Sequence, residues 1–379
     1  MKNLPVEIVF YIASFLERGD LSRFRLAHRR LALITFPLIS QRIAVLNIVD
    51  DLEELLRFLS HRGQGRHTEK LTILHGRWPI CTFTDWTMHP LQLNEFLSPT
   101  GSSSARRQQA FRHYESFIQN ETLRDTTLDL IRLQRIVTLL PRLHHLTISH
   151  VHTRGWKPVG PPKYLALRKR IWMAPFISDS LGAAAQSFLS LLPSIPSVHR
   201  LTVEGRLSPS SLNIRAPMTH ITMLELKAVH LYDSEKESFL AMLHAFPNLK
   251  QLLLGFVSTD VLIPVDEIRL ESLSKLHLRR LCTSDSRLLK ALADNPKLEL
   301  HLSDITLAYG HWDTFLHRVK DMGLGRQISL DGYMSGLDPT CVNIEIEGER
   351  HHILSRFLGE EGGRWPFRAR WIASKPFYV

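Results

Sequence analysis

Between residues 141 and 302 the chain repeats one pattern of apolar and polar positions. Each copy has an aliphatic residue at the first, fourth and sixth positions of a short segment, and a stretch with helical apolar spacing precedes it. Three copies follow a proline and cover 141–148, 196–203 and 247–254. Two copies, at 221–226 and 273–278, lack the proline, and a sixth, at 296–302, has lost one residue. From Val198 to Leu298 the first positions are spaced by 23, 28, 24 and 25 residues.

This alternation predicts short strands separated by helices. Side chains two positions apart lie on the same side of a strand, so the leucines share one side and the intervening residues share the other. Helix starts are predicted at a capping box in 234–237, at Ser284 or Asp285, at Asp51 before 52–59, and at Ser180 before 181–192. Strand, helix and strand in succession predict parallel pairing.

The spacing of the copies resembles that of leucine-rich repeats, which have a period of roughly 20 to 29 residues. The resemblance implies an α/β solenoid with parallel strands inside and helices outside. An ordinary α/β sheet with these leucines in its core is the alternative, but no strand is followed by a glycine-rich phosphate turn. Segments 328–330 and 342–346 are predicted to be closing strands, preceded by a helix with Trp312, Phe315, Leu316 and Val319.

The first 40 residues contain more apolar side chains than a segment of that size can bury. Ile8, Ile12 and Phe15 recur at helical spacing, and so do Phe24 and Leu31 further on, which predicts two or three short helices. A chain of about 40 residues cannot enclose all of these faces by itself. We therefore expect the segment to bind a partner through its surplus apolar surface.

The order of residues in this segment resembles an F-box. It begins with Leu-Pro-x-Glu-Ile at 4–8, continues with a helix stop at Gly19 and an N-cap at Asp20 before Leu21, and ends with Pro37-Leu38. Two departures are His28, where the family often has cysteine, and Leu31, where tryptophan is common. An ordinary helical cap on a larger core is the alternative.

The F-box resemblance implies docking on a Skp-type adaptor and, through it, on the cullin of an SCF-type ubiquitin ligase. It also implies that Phe15, Phe24 and Leu31 pack the helices together. The residues that it implies for the adaptor surface are Leu4, Pro5, Ile8, Leu21, Leu26, Pro37 and Leu38.

These patterns divide the chain into an F-box at 1–40, an irregular repeat array at 41–350, and a cap or tail at 351–379. Two stretches interrupt the period, at 76–124 and 151–177. The first contains the low-complexity run 98–104 and is predicted to be a flexible excursion, and the second contains the basic run 168–170. Insertions of this length are uncommon unless they are functional or disordered.

The formal net charge of +10 invites a nucleic-acid interpretation. However, the basic clusters at 29–30, 106–107, 168–170 and 279–280 lie in no known nucleic-acid-binding motif, and we do not expect nucleic acid as a partner. A solvated basic surface or attraction to acidic or phosphorylated substrates are the alternatives.

No catalytic, cofactor or metal motif is recognisable, so we expect a chain that is not an enzyme and has no cofactor. Three widely separated cysteines and 20 histidines without ligand spacing indicate neither a disulfide framework nor a metal site. No apolar run is long enough to span a membrane, and Glu7 interrupts the run that could act as a secretion signal. We expect an intracellular protein of the cytoplasm, the nucleus or both.

The combined expectation is a non-catalytic substrate-recognition subunit of an SCF-type ubiquitin ligase, with a target protein held by the repeats. The alternative is a repeat scaffold or nucleic-acid-associated protein without a ligase role. The target is expected on the polar side of the strands, at His145, Thr147, Arg200, Thr202, Met223, Glu225, Gln251, Leu253, Lys275 and His277.

Overall fold

The computed structural model describes residues 4–61, 64–88, 104–151, 153–154, 157–158, 162–175, 188–209, 214, 216–257, 261–338, 341, 343–348, 350–359 and 365. The fold is α/β with predominantly parallel strands, which confirms the predicted class. The chain forms two compact units, Met1–Asp179 with Ser194–Val198, and Ser180–Pro193 with His199–Val379. None of the described helices is long and apolar enough to cross a membrane.

The first unit begins with four short helices, α1 Val6–Ser14, α2 Arg18–Leu26, α3 Arg29–Ile34 and α4 Phe36–Ser40. The imidazole of His28 caps α3 by accepting a hydrogen bond from the Arg30 N–H at 3.0 Å. The predicted helix stop at Gly19 and N-cap at Asp20 are wrong, because both residues lie in the first turn of α2. There the carboxylate of Asp20 is favoured by the positive end of the helix dipole.

Three parallel strands of the first unit follow, β1 Arg42–Leu46, β2 Lys70–His75 and β3 His145–His150. The first two were not predicted, because the first aliphatic position of the motif is occupied by Ser40 and Thr68. Both residues are buried, and the Thr68 hydroxyl donates to the Ser40 carbonyl at 2.8 Å. A hydrogen-bonded polar pair thus replaces two leucines.

Helix α5, Val49–Ser60, follows β1. Asp51 does not cap this helix as predicted but lies in its first turn, where it is buried and accepts from the Leu46 N–H at 2.6 Å. The carboxylate therefore ties the end of β1 to the start of α5.

The two interrupting stretches contribute to the core of the first unit. The stretch 76–124 contains α6 Phe83–Met88 and α7 Ser104–Thr122, and α8 Thr126–Thr138 follows it. The stretch 151–177 contains the short hairpin β4 Thr153–Arg154 and β5 Lys157–Pro158, then α9 Pro162–Ile171.

The flexible excursion predicted at 76–124 is wrong for its described residues. Trp86 and Tyr164 are fully buried in one aromatic cluster, where Trp86 stacks on Trp172 at 6.3 Å between ring centres. Burying such large side chains gives each stretch a packing role. Residues 89–103, which hold most of the low-complexity run, lie outside the described residues.

In the second unit, six strands pair side by side in parallel: β6 Arg200–Leu207, β7 Met223–Val229, β8 Gln251–Phe256, β9 Lys275–Arg279, β11 Glu299–Ser303 and β13 Ile328–Gly336. Every predicted copy in this unit coincides with a strand. Two short strands, β10 Cys282–Ser284 and β12 Thr306–Tyr309, pair in parallel with each other, and β12 also pairs in parallel with the end of β13. Strand β14 Ile344–Ile346 pairs antiparallel with β13.

Four α-helices are described in the second unit: α10 Lys236–His244 between β7 and β8, α11 Asp285–Asp294 between β10 and β11, α12 Trp312–Asp321 between β12 and β13, and α13 Arg350–Gly359 after β14. Ser284 caps α11 as predicted, accepting from the Arg287 N–H at 3.3 Å. The capping box lies two residues earlier than predicted, since Glu235 accepts from the Tyr232 N–H at 3.1 Å. Ser180 and the tail after Gly359, apart from Trp365, lie outside the described residues.

A corner turns three neighbouring strands at equivalent positions. Arg280, Asp304 and Gly332 have φ angles of 53°, 55° and 72°, and each follows one member of the register-paired set Arg279, Ser303 and Asp331. A side chain at Gly332 would be crowded, because its Cβ atom would meet the Asp304 carboxylate.

Candidate interaction surfaces

Helix α1 is apolar on nearly all of its sides. Val9 and Ala13, one turn apart, are buried at 2% and 1% exposure. Its remaining large apolar side chains are exposed, and Tyr11 reaches 64%. A helix that is hydrophobic all round is normally covered on every side by other elements. The described chain covers only one narrow stripe of α1.

Helices α2 and α3 add further exposed apolar side chains, with Leu26 at 87% and Leu33 at 68%. Scattered exposed apolar residues are normal in proteins, but a dense group on three short adjacent helices indicates an interaction site. We call this group the N-terminal apolar set, and it consists of Val6, Ile8, Phe10, Tyr11, Ile12, Phe15, Leu26 and Leu33.

Most residues predicted to bind an adaptor are accessible. Pro5, Ile8 and Leu26 are exposed, and Leu4, Pro37 and Leu38 are half-buried. The Arg30 guanidinium donates to the Leu4 carbonyl at 3.0 Å. This bond fixes Leu4 against α3.

Two side chains do not lie where their predicted roles would place them. Leu21 was predicted on the adaptor surface, but it is 6% exposed, because α2 packs against α3 and α4. Phe15 was predicted to pack the helices together, but it is 70% exposed, because it follows the last residue of α1 and contacts Tyr11 edge-on at 4.9 Å. Leu31 is buried as predicted, at 5% exposure.

The strands of the second unit carry a second candidate surface. Leu252, Leu254, Leu276 and Leu278 are at most 2% exposed, whereas Gln251 and Lys275 are exposed and Leu253 and His277 are half-buried. This alternation confirms the predicted register. We call the polar side the strand face. It consists of Arg200, Thr202, Glu204, Met223, Glu225, Lys227, Gln251, Leu253, Gly255, Lys275, His277, Arg279, Glu299, His301, Ser303, Ser329 and Asp331.

Glu225 forms the centre of a charge network on the strand face. Its carboxylate lies 3.5 Å from Arg200 and 3.2 Å from Lys227, and it accepts from the Thr202 hydroxyl at 3.0 Å. Burial alone would raise the pKa of Glu225, but Lys227, Thr202 and Arg200 together lower it. Glu225 and Thr202, at 8% and 3% exposure, were predicted to contact the target; instead they bind neighbouring strands.

A histidine pair lies next to this network. His277 and His301 are register partners on β9 and β11, with ring centres 5.9 Å apart. The Nε2 atom of His277 lies 3.0 Å from the Ser303 hydroxyl. Burial, followed by His301 and Arg279, lowers the pKa of His277, so its imidazole is neutral at physiological pH.

The two target-binding positions predicted in the first unit are not accessible. His145 and Thr147 are 8% and 5% exposed, and the Thr147 hydroxyl lies 3.2 Å from the His145 Nε2 atom. All six residues of β3 are buried, so both sides of this strand are covered by protein. The prediction of an open polar side is wrong for β3.

The sequence analysis also missed six residues of the strand face that carry charge or an imidazole: Glu204, Lys227, Arg279, Glu299, His301 and Asp331. The sequence does contain a pattern that identifies most of these residues. The same alternation extends one position further along β6, β7 and β9, and the shortened copy at 296–302 forms a strand in register with its neighbours.

Comparison with known proteins adds no assignment, since no family model matches the chain and no curated protein is detectably similar to it. Among the described residues, no three histidine, cysteine or acidic side chains form a metal-ligand group. The two surfaces therefore carry the functional argument.

Proposed function

We propose that this protein is the non-catalytic substrate-recognition subunit of an SCF-type cullin-RING ubiquitin ligase. The F-box-like helices dock on a Skp-type adaptor, which links the chain to the cullin, and the strands hold a target protein. The ubiquitin-transfer chemistry belongs to the other subunits. In this role the protein acts in the cytoplasm, the nucleus or both.

The N-terminal apolar set is the observation that carries the proposal. The eight side chains stay exposed although the rest of the chain supplies a large core. Each exposed leucine or isoleucine forgoes about 1.5–3 kcal/mol of burial, so a partner that covers several of them gains substantial binding energy. Their position within the F-box-like order of residues makes a Skp-type adaptor the partner of choice.

The repeated strands support the second half of the proposal. In the second unit, the strands pair in parallel with the leucines in register, and α10, α11 and α12 each lie between two successive strands, an arrangement that fits a leucine-rich-repeat-like solenoid. Register pairing arranges the side chains of the strand face in rows across neighbouring strands. A target can therefore contact several repeats at once.

Co-purification tests the adaptor half of the proposal. The full chain, co-expressed with a Skp-type adaptor and cullin, should form a stable complex in size-exclusion chromatography. Replacing Leu4 and Pro5 together by alanine should weaken the complex, since hot-spot anchors contribute about 2 kcal/mol or more each. The control is Leu337→Ala, which replaces an exposed leucine of the second unit, at 67%. An unchanged complex with the double variant removes the F-box assignment.

A repeat scaffold or nucleic-acid-associated protein is the second candidate, and the net charge of +10 favours it. The same purification discriminates between the two. A chain that fails to bind the adaptor but retains RNA or DNA through a salt wash supports the second candidate.

A further inference from the structure

The strand face is electrically balanced, although the chain as a whole is strongly basic at +10. Its cationic side chains are Arg200, Lys227, Lys275 and Arg279, and its carboxylates are Glu204, Glu225, Glu299 and Asp331. A surface with equal numbers of opposite charges exerts little long-range attraction on an anionic partner. The excess positive charge of the protein therefore lies elsewhere.

Every cation of the strand face already has a carboxylate close to it. Lys275 lies 2.9 Å from Glu299, and Arg279 lies 3.7 Å from Asp304 at the corner. On β6 and β7, Arg200 and Lys227 lie 3.5 Å and 3.2 Å from the same carboxylate, that of Glu225. A phosphate group would have to compete with a fixed carboxylate at each of these positions.

The middle of the strand face is apolar and neutral. Leu253 on β8 is the register partner of both Glu225 and His277, and Met223 on β7 pairs with Gln251. The two apolar side chains are half-buried and thus keep part of their surface open. Beside them, Gln251 and the His277 imidazole offer neutral hydrogen-bonding groups. Apolar contact and neutral hydrogen bonds are the interactions that this centre provides.

We propose that the strand face binds an uncharged segment of the target polypeptide, anchored by an apolar side chain on Leu253 and Met223, and not a phosphorylated segment. This inference rests on the proposed function, because it assigns the class of target to the surface that holds it. Polar side chains of the segment pair with Gln251 and His277. The charge network around Glu225 remains intact and borders the anchor site.

A random short-peptide library displayed on phage tests the proposal, with the immobilised full chain as bait, both alone and bound to the adaptor. Enriched peptides are then synthesised in unmodified form and with phosphoserine replacing one residue, and fluorescence anisotropy measures their binding. We expect apolar, uncharged sequences whose phosphoserine forms bind more weakly. Leu253→Glu should weaken binding at least about tenfold, as loss of a central anchor does. Leu337→Glu, the same change at an exposed leucine elsewhere in this unit, should have no effect.

Two results would overturn the proposal. One is enrichment of acidic peptides, or tighter binding of phosphoserine forms, together with a larger loss from Arg200→Ala or Lys275→Ala than from Leu253→Glu. The other is that no peptide from the library binds the natural chain more tightly than it binds the Leu253→Glu variant. Thermal unfolding of each variant verifies that it is folded. Adaptor binding is read separately: if the adaptor complex fails while peptide binding follows Leu253, only the proposed ligase role is lost.

Discussion

Two leucines of helix α2 provide a matched test of the adaptor surface. Leu21 and Leu26 lie on the same helix, but Leu21 is 6% exposed and Leu26 is 87% exposed. Replacing either by alanine removes the same atoms and barely changes helix propensity. Leu21→Ala should therefore affect folding, whereas Leu26→Ala should affect only binding.

The expected magnitudes follow from the two environments. Leu21→Ala opens a cavity between α2 and its neighbours, which typically lowers the free energy of unfolding by about 2–5 kcal/mol. In a unit of this size, that corresponds to a drop in melting temperature on the order of 5–15 °C. Leu26 already faces water, so Leu26→Ala should leave the melting temperature unchanged. If the adaptor covers this side chain, its loss should weaken binding by about 1.5–3 kcal/mol, or about ten- to a hundredfold in Kd.

Calorimetric unfolding and titration with purified adaptor measure the two quantities separately. Leu21→Ala is the control for an effect of lowered stability on binding. Its adaptor affinity is measured well below its own melting temperature, where the variant is folded. Unchanged adaptor affinity in Leu26→Ala would contradict the reasoning. So would equal losses of melting temperature in the two variants, because both leucines would then be buried.

Three further predictions concern the second unit. Leu276→Ala should lower the free energy of unfolding by about 2–5 kcal/mol, since Leu276 is 1% exposed, whereas Lys275→Ala next to it should change it by about 1 kcal/mol or less in chemical denaturation. Gly332→Ala should lower the free energy of unfolding by about 1–3 kcal/mol, because φ is 72° and the new Cβ meets the Asp304 carboxylate. The double variant with Asp304→Ala should lose less stability than the sum of the two single variants. Glu225→Gln should make the free energy of unfolding depend less on pH in the acid range. Because the pKa of Glu225 is lowered in the fold, the ionised carboxylate stabilises the fold above its unfolded pKa of about 4.3, and this stabilisation is lost as pH falls through the folded pKa.

Each of these has a contrary result. A larger loss of stability from Lys275→Ala than from Leu276→Ala would mean that the strand register is shifted by one residue. Full additivity of the Gly332 and Asp304 substitutions would show that the two groups do not meet. An acid unfolding profile of Glu225→Gln that is identical to that of the natural chain would show that the network around Glu225 does not favour the carboxylate.

The sequence by itself determined the features that depend on neighbouring residues. Alternating leucines such as Leu252 and Leu254 specify which side of a strand is buried, because side chains alternate strictly along extended backbone. The cap at Ser284 and the excess of apolar side chains before residue 40 are likewise local properties. The parallel α/β class followed from the order of these local elements.

The tertiary structure decided everything that depends on residues far apart in the chain. Glu225 and Thr202 have the polar spacing of contact residues, yet they are buried in a hydrogen bond between strands, and only the pairing of β6 with β7 reveals this. Similarly, the buried Trp86 comes from a stretch with no repeat pattern. Leu21 and Leu26 cannot be told apart by residue type, since burial depends on which neighbouring helices pack against each side of α2. Local sequence specifies the direction of a side chain along its own element, but the side chain's neighbours come from segments that only folding brings together.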